Sequence, residues 1–269
     1  MSGPGAISIV GIALVRNEDL YIGRVLRNAL ALCDRLLVAD NGSTDHTWER
    51  IQEVARADDR VAARRITDTA ESHRMILPYV GTSTWVFGVD GDEIYDPAGL
   101  GRLRAEITAG RYRDYWKIVG NVLNCTELDV ATRTARGHLS PPSRSMTKLY
   151  NFGAFESWDG DCPERLHGGD PVLREGFSEE RFYPLHERTA WDASPFRCLH
   201  LCFLRRSSQD APAPGARLNI MEKRALRWWQ RLGIAGRGGA MSESQRYKRR
   251  KYMRGAEVRA DVSAFFPAS

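Results

Sequence analysis

The 269 residues are 42% hydrophobic and 27% charged with a formal net charge of +5, which describes an ordinary globular chain with ample core material and argues against disorder. No apolar run approaches the roughly 20 residues that span a bilayer, and the N-terminal Met1-Ser-Gly-Pro-Gly5 lacks the basic and apolar regions of a signal peptide, so a cytoplasmic protein is expected. The 5 cysteines are odd in number without a tight CxxC pair, which argues against a disulfide framework and a structural zinc and for reduced, mostly buried thiols.

In chain order, residues 7–15 read as a central strand, 19–31 as a helix through the recurrence of Leu20, Ile22, Val25, Leu26 and Ala29, and 36–39 as a second strand. A helix over 47–57, a strand over 61–66, a helix over 71–80 and a strand over 84–89 extend the alternation, with Pro78 expected to shorten or kink the third helix. Such alternation predicts a largely parallel sheet covered by helices. Leu100, Leu103 and Ile107 mark a further helix with Pro97 in its first turn and Gly110 just past its end, and 112–123 alternate as a strand. The polar stretch 124–142 predicts a loop or small hairpin over a site, and the poorly periodic 146–203 are assigned to acceptor binding. Ala211-Pro-Ala-Pro-Gly215 reads as a linker, and Leu218, Met221, Ala225, Trp228, Trp229 and Leu232 as an amphipathic helix on the body. The run Gln245-Arg-Tyr-Lys-Arg-Arg-Lys-Tyr-Met-Arg254 is strongly basic, suited to a solvated helix face, an anionic membrane, substrate phosphates or nucleic acid.

Two of these strands end on carboxylates. Val86-Phe-Gly-Val-Asp90-Gly-Asp92-Glu93 sets two acids one residue apart at a strand end. Oxygen ligands at that spacing suit a hard divalent ion, Mn2+ or Mg2+, held together with the oxygens of a substrate diphosphate, although turn formation alone accounts for an isolated Asp-Gly-Asp. Leu36-Leu-Val-Ala-Asp40-Asn-Gly-Ser-Thr-Asp45 likewise stops at an acid and turns into a helix, with Ser43, Thr44 or Asp45 available as its cap. In an open α/β sheet both strand ends belong to one ligand-binding rim, so Asp40 and Asp90 are expected there together.

Preceded by Ile12-Ala-Leu-Val-Arg-Asn-Glu18, these two runs fall in the order that resembles family 2 glycosyltransferases of the GT-A fold, over roughly the first half of the chain. The resemblance implies an α/β, GT-A-like (Rossmann-like), mostly parallel sheet flanked by helices with a C-terminal helical basic extension. Residues 1–123 would form the nucleotide-sugar-binding half, 124–206 the acceptor-binding and catalytic half, and 207–269 the linker, amphipathic helix and basic tail. It further implies metal-dependent transfer, with inversion, of a hexosyl group from a nucleoside-diphosphate sugar to the hydroxyl of an unknown small-molecule or glycan acceptor. The tail would make at most a peripheral contact with an anionic membrane, and no nucleic acid is expected. Rival readings are a nucleotide-sugar isomerase or mutase using the same donor site, and a basic nucleic-acid-binding protein, which leaves Asp40, Asp90 and Asp92 without a purpose.

By the same resemblance Val15, Arg16, Asn17 and Glu18 join Asp40 around base and ribose, while Gly91, Arg205 and Arg74 face the donor, with a surface ion pair as the alternative for Arg74. Asp92 is the first metal ligand, and Asp90 sits on the metal through water or holds the ribose. His200, in Cys198-Leu-His200-Leu-Cys-Phe-Leu-Arg-Arg206, is the third ligand ahead of His186, His167 and His138, against the alternative of a core histidine. The base that takes the acceptor proton falls in Trp158-Asp-Gly-Asp161-Cys-Pro-Glu164-Arg-Leu-His167. Glu164 aligns best, Pro163 before it departs from the usual His-Glu pair, and Asp159 and Asp161 remain open. Trp158, Trp191 and Phe196 either stack on a sugar or pack in the core, and Arg205, Arg206 and Lys248 to Lys251 form a lid over the diphosphate.

Overall fold

The apolar runs of the first half become four parallel strands, β1 (Ser8–Val15), β2 (Arg35–Asp40), β3 (Val61–Arg65) and β4 (Thr84–Asp90). Between them lie the helices α1 (Ile22–Ala29), α2 (Thr47–Ala57) and the single turn α3 (Glu71–Arg74). The computed structural model describes residues 6–145, 147–210 and 243–267. α1 is shorter than its periodicity because Tyr21 and Ile22 turn back onto the carbonyl of Glu18. α3 stops early, and Leu77–Tyr79 continues as a 3-10 turn containing Pro78, which cannot donate to a longer helix.

After β4 come β5 (Glu93–Tyr95) and α4 (Pro97–Thr108), whose Asp96 cap accepts from the amides of Ala98 and Gly99 and whose end is followed by Gly110 at a φ of 77°. The strand expected over 112–123 is instead two, β6 (Lys117–Val119) and β7 (Asn121–Asp129), in different sheets. The switch falls at Gly120, where a Cβ would stand 2.5 Å from the carbonyl oxygen of Phe196. β8 (Thr134–Leu139) then returns along β7, so most of 124–142 is a hairpin, the second of the two forms expected, and it belongs to a sheet.

β9 (Lys148–Asn151) runs antiparallel beside β4 and is followed by the hairpin β10 (Phe155–Asp159) and β11 (Asp170–Leu173). Then come β12 (Tyr183–Pro184), the turn α5 (Leu185–Arg188) and β13 (Arg197–His200). The main sheet has the order β12-β6-β9-β4-β1-β2-β3, and only β9 opposes the common direction. The expectation of a GT-A-like, mostly parallel α/β sheet holds. Strand pleat divides its side chains: Ile9, Ala13, Val15, Phe87 and Val89 join α1, α2 and α4 on one face, while Val10, Ile12 and Val86 meet Phe152, Phe155 and Trp158 on the other.

The basic extension does not hang from the body. After α6 (Glu243–Tyr252) the chain forms β14 (Glu257–Asp261), which closes a five-stranded sheet ordered β14-β8-β7-β13-β5. Asn28, buried on α1, donates to the carbonyls of Tyr95 (2.7 Å) and Phe265 (2.9 Å), and Phe265 stacks on Trp191. The amphipathic helix and linker expected over 211–232 lie outside the described residues. All five cysteines are buried and unpaired with one another, and no described helix is long and apolar enough to cross a membrane.

Candidate active site

Register places the rim. Val15 pairs with Asp40 and Leu14 with Asp90, so the two acids flank the end of β1. Asp40 is fully buried and uses both oxygens within the chain: Oδ2 accepts from Arg65 Nε (3.0 Å), and Oδ1 from the amide (3.2 Å) and hydroxyl of Ser43. Arg65, half exposed over Trp48, also donates to the Ser43 carbonyl at 2.7 Å. Asp40 therefore acts by orienting Arg65 and the turn after β2. Asn17, at a φ of 54°, accepts from the Thr44 amide (2.8 Å) and gives its own amide to Ser43 Oγ (3.0 Å), while Thr47 Oγ1 receives the amide of Glu18 at 2.6 Å. The predicted segment Val15 to Glu18 is thus stitched to the turn at 40–47. Asp45 accepts from the Thr47 amide at 3.0 Å, but the N-cap position of α2 is His46, whose side chain makes no cap bond, so none of Ser43, Thr44 and Asp45 is the cap.

At the end of β4 the acids separate by partner. Asp90 is paired with Arg165, a buried arginine that also donates to the carbonyls of Ile12 (3.2 Å) and Val89 (2.8 Å). Burial raises the Asp90 carboxyl, but the Arg165 charge and Lys148 outweigh it and hold it below the usual carboxylate range. Glu93 is the opposite case: burial, reinforced by the Asp90 charge, raises it well above the ordinary value, and its carboxyl accepts from the Tyr95 hydroxyl. Gly91 lets the β4–β5 turn lie against the rim, since a Cβ there would meet Glu18 Cγ at 3.0 Å and Val15 Cγ1 at 3.1 Å.

Asp92 is buried between two basic groups from the end of β13 and beyond. Arg206 donates to Asp92 Oδ2 and lies 3.5 Å from Glu18 Oε1. His200 Nε2 stands 3.7 Å from the same Asp92 oxygen. The tautomer of His200 follows from its other neighbour. Asn124 Nδ2 is directed to the carbonyls of His138 and Arg144, which turns its Oδ1 to His200 Nδ1 at 2.7 Å. An amide oxygen only accepts, so Nδ1 carries the proton and Nε2 presents a lone pair. Burial lowers the His200 value below that of an ordinary histidine, which keeps the ring neutral near pH 7. Asp90 does not join this pair: among the described residues no group of three or more His, Cys, Asp or Glu is placed to hold an ion.

The sequence matches the family model Glycosyl transferase family 2 over residues 12–209, a span that contains every residue of this rim. The chain belongs to that family. Among solved structures it is similar to S. aureus TarS, with 19% identity, 55% of this chain and 29% of that one covered and a TM-score of 0.38. It is also similar to the mannosyltransferase PcManGT of Pyrobaculum calidifontis in complex with GDP-Man and Mn2+, at 21% identity, 45% and 35% coverage and a TM-score of 0.31. A third is glucosyl-3-phosphoglycerate synthase of Mycobacterium tuberculosis with Mn2+, UDP-Glc and phosphoglyceric acid, at 18% identity, 55% and 58% coverage and a TM-score of 0.36. The chain thus spans between 29% and 58% of those chains. No curated protein matches it.

The remaining predicted residues of this family member divide by location. Glu164 is half-buried on the turn that carries Arg165, and its carboxylate faces His167 Nδ1 at 3.4 Å. That turn is locked: Thr69 Oγ1 donates to the Pro163 carbonyl (2.5 Å), Ser72 Oγ accepts from the Arg165 amide (2.9 Å), and Leu166 adopts a φ of 55°. Gly88 leaves room for it, because a Cβ there would touch Leu166 Cδ1 at 2.9 Å. Asp159 and Asp161 are exposed, the first at the end of β10 and the second in the loop that joins β10 to β11. Arg74 makes a surface pair with Asp68, and Arg205 folds onto the carbonyls of its own loop, so neither joins the Asp92 group; the adjacent Arg206 does. Trp158, Trp191 and Phe196 are core residues. Arg165, Lys148 and Asn124 complete the site without having been singled out in the sequence, and Arg206, expected there as part of a lid over the diphosphate, is buried against Asp92.

Proposed function

We propose that this glycosyltransferase takes a hexosyl group from a nucleoside-diphosphate sugar and passes it, with inversion, to an acceptor hydroxyl, using Mn2+ or Mg2+ held by Asp92 and His200. The observation that supports this most is the Asp92 Oδ2 to His200 Nε2 pair: a carboxylate oxygen and an unprotonated nitrogen face each other across 3.7 Å. That gap is within the span of one ion that binds each at about 2.1 Å and completes its shell with phosphate oxygens and water. When bound, the ion supplies positive charge to the departing diphosphate.

The chain's own groups do the rest. Arg206, buried and shared between Asp92 and Glu18, is a fixed cation beside the diphosphate position and costs no reorganisation as charge develops. Arg165 holds Asp90 in one orientation at the end of β4, where its carboxylate, a third exposed, meets the donor. Glu164 removes the acceptor proton, because it alone of the three candidate acids sits on the turn anchored to Asp90. Glu164→Gln is expected to lower kcat by about 10²- to 10⁴-fold while nucleotide binding stays unchanged; the same loss in Asp161→Asn with an active Glu164→Gln transfers the role to Asp161.

The experiment that tests the whole reading is thermal unfolding against nucleoside diphosphates and their sugars, each with and without Mn2+. A ligand that binds only the folded protein raises Tm, by about 2.7 kcal/mol of stabilisation at a hundredfold excess over Kd. One nucleotide is expected to stabilise in a Mn2+-dependent manner. Stabilisation by the same nucleotide with and without metal would remove the ion from the reading, and none by any nucleotide would remove the donor class.

A further inference from the structure

Residues 243–267 lie beyond the matched span, yet α6 brings a side chain onto the site. The Tyr252 ring meets His200 edge-on, with centroids 5.3 Å apart and planes at 74°, and also touches Phe203. We propose that Tyr252 is a positioning residue for His200, which makes the C-terminal segment a structural part of the site; this rests on the reading of His200 as a ligand. The backbone of His200 is fixed between β5 and β7, opposite Glu93 and Asn124. Among the described residues its ring makes one hydrogen bond, Nδ1 to Asn124, with Asp92 further off at 3.7 Å. Rotation of the ring about its last side-chain bond would break that tether and turn Nε2 away from Asp92, and the Tyr252 ring lies against the ring that would have to turn.

Tyr252 is itself held on the body. Its carbonyl accepts from the buried Ser143 hydroxyl at 2.8 Å, Ser143 Oγ in turn accepts from the Arg254 amide at 3.0 Å, and the Arg144 amide donates to the Lys251 carbonyl at 3.0 Å. Five residues further on, β14 pairs with β8 from Glu257 to Asp261. The ring is therefore placed by backbone anchors on both sides rather than by a free tail.

The test uses the full chain with Mn2+ alone as probe, followed by the electron spin resonance of free Mn2+, together with nitrogen-15 histidine spectra of the metal-free protein assigned through His200→Gln. Tyr252→Phe keeps the ring and is expected to bind Mn2+ within about twofold of the wild type, whereas Tyr252→Leu, which keeps most of the volume without an aromatic edge, is expected to bind about tenfold more weakly. In the spectra His200 is expected as a single Nδ1-protonated tautomer in the wild type and the Phe variant, and as an averaged signal in the Leu variant. A folded Leu variant with wild-type Mn2+ affinity and an unchanged His200 signature overturns the proposal. Should the Leu variant fail to fold, proton contacts between the His200 and Tyr252 rings in the wild type decide it, and their absence overturns it. A wild type that binds no Mn2+ defeats the ligand reading, and the tautomer and ring-contact measurements then decide Tyr252 by themselves.

Discussion

Replacing Arg165 by methionine is expected to cost about 3 kcal/mol of stability and to abolish most transfer activity. Methionine preserves much of the aliphatic volume, so the loss isolates the guanidinium. That group is 4% exposed and serves three acceptors, the Asp90 carboxylate and the carbonyls of Ile12 and Val89. An unsatisfied buried acceptor costs about 1–3 kcal/mol, and the two carbonyls supply most of the figure because Asp90, at 34% exposure, regains some water. Urea unfolding is expected to show a lower midpoint at constant m. Adding Asp90→Asn to Arg165→Met is expected to restore part of the stability, since the stranded charge disappears; a double variant as unstable as the sum of the singles would show that Asp90 and Arg165 are not coupled. The pH dependence has a definite sign. The folded Asp90 carboxyl lies below its unfolded value, so its contribution is complete above about pH 4 and is lost as pH falls through the folded value. In Arg165→Met that acid-side loss is expected to shrink.

Arg165 also marks where sequence reading stops. The strands ending in Asp40 and Asp90 are legible because an apolar run closed by an acid and a turn is a local pattern, and parallel alternation then places both ends on one rim. Arg165 reaches Asp90 across 75 positions and Arg206 reaches Asp92 across 114. Nothing in either neighbourhood distinguishes these arginines from Arg74 or Arg205, which pair locally at the surface. Asn124 looked like part of a polar loop, and its value lies in its place opposite His200 in the β7–β13 pairing. The break at Gly120 was hidden for the same reason, since what forbids a side chain there is the carbonyl of Phe196. The basic run after 245 could be read only as charge, whereas its position follows from β14 pairing with β8, a ladder with no signature in the run itself.

Asp92→Asn is expected to lower transfer by about 10³-fold and to erase the Mn2+-dependent part of nucleotide stabilisation, while the protein remains folded. The substitution keeps the shape of the turn and the bond from the Leu201 amide to the residue 92 carbonyl (2.8 Å), and Arg206 retains Glu18 at 3.5 Å. What disappears is the negative charge that Arg206 and His200 both face. One carboxylate oxygen thus serves a resident arginine and, in the proposed reaction, an ion, and the two cations compete for it. Arg206→Met separates them: it is expected to bind Mn2+ alone several-fold more tightly than the wild type, because the oxygen is released, and to lose affinity for the diphosphate, because a fixed cation is gone. Metal titration of the two variants gives opposite signs under this arrangement. An Asp92→Asn protein that keeps wild-type Mn2+-dependent stabilisation, or an Arg206→Met protein whose metal affinity falls along with its nucleotide affinity, would mean that the ion is held elsewhere on the rim and that the Asp92–Arg206 pair is structural.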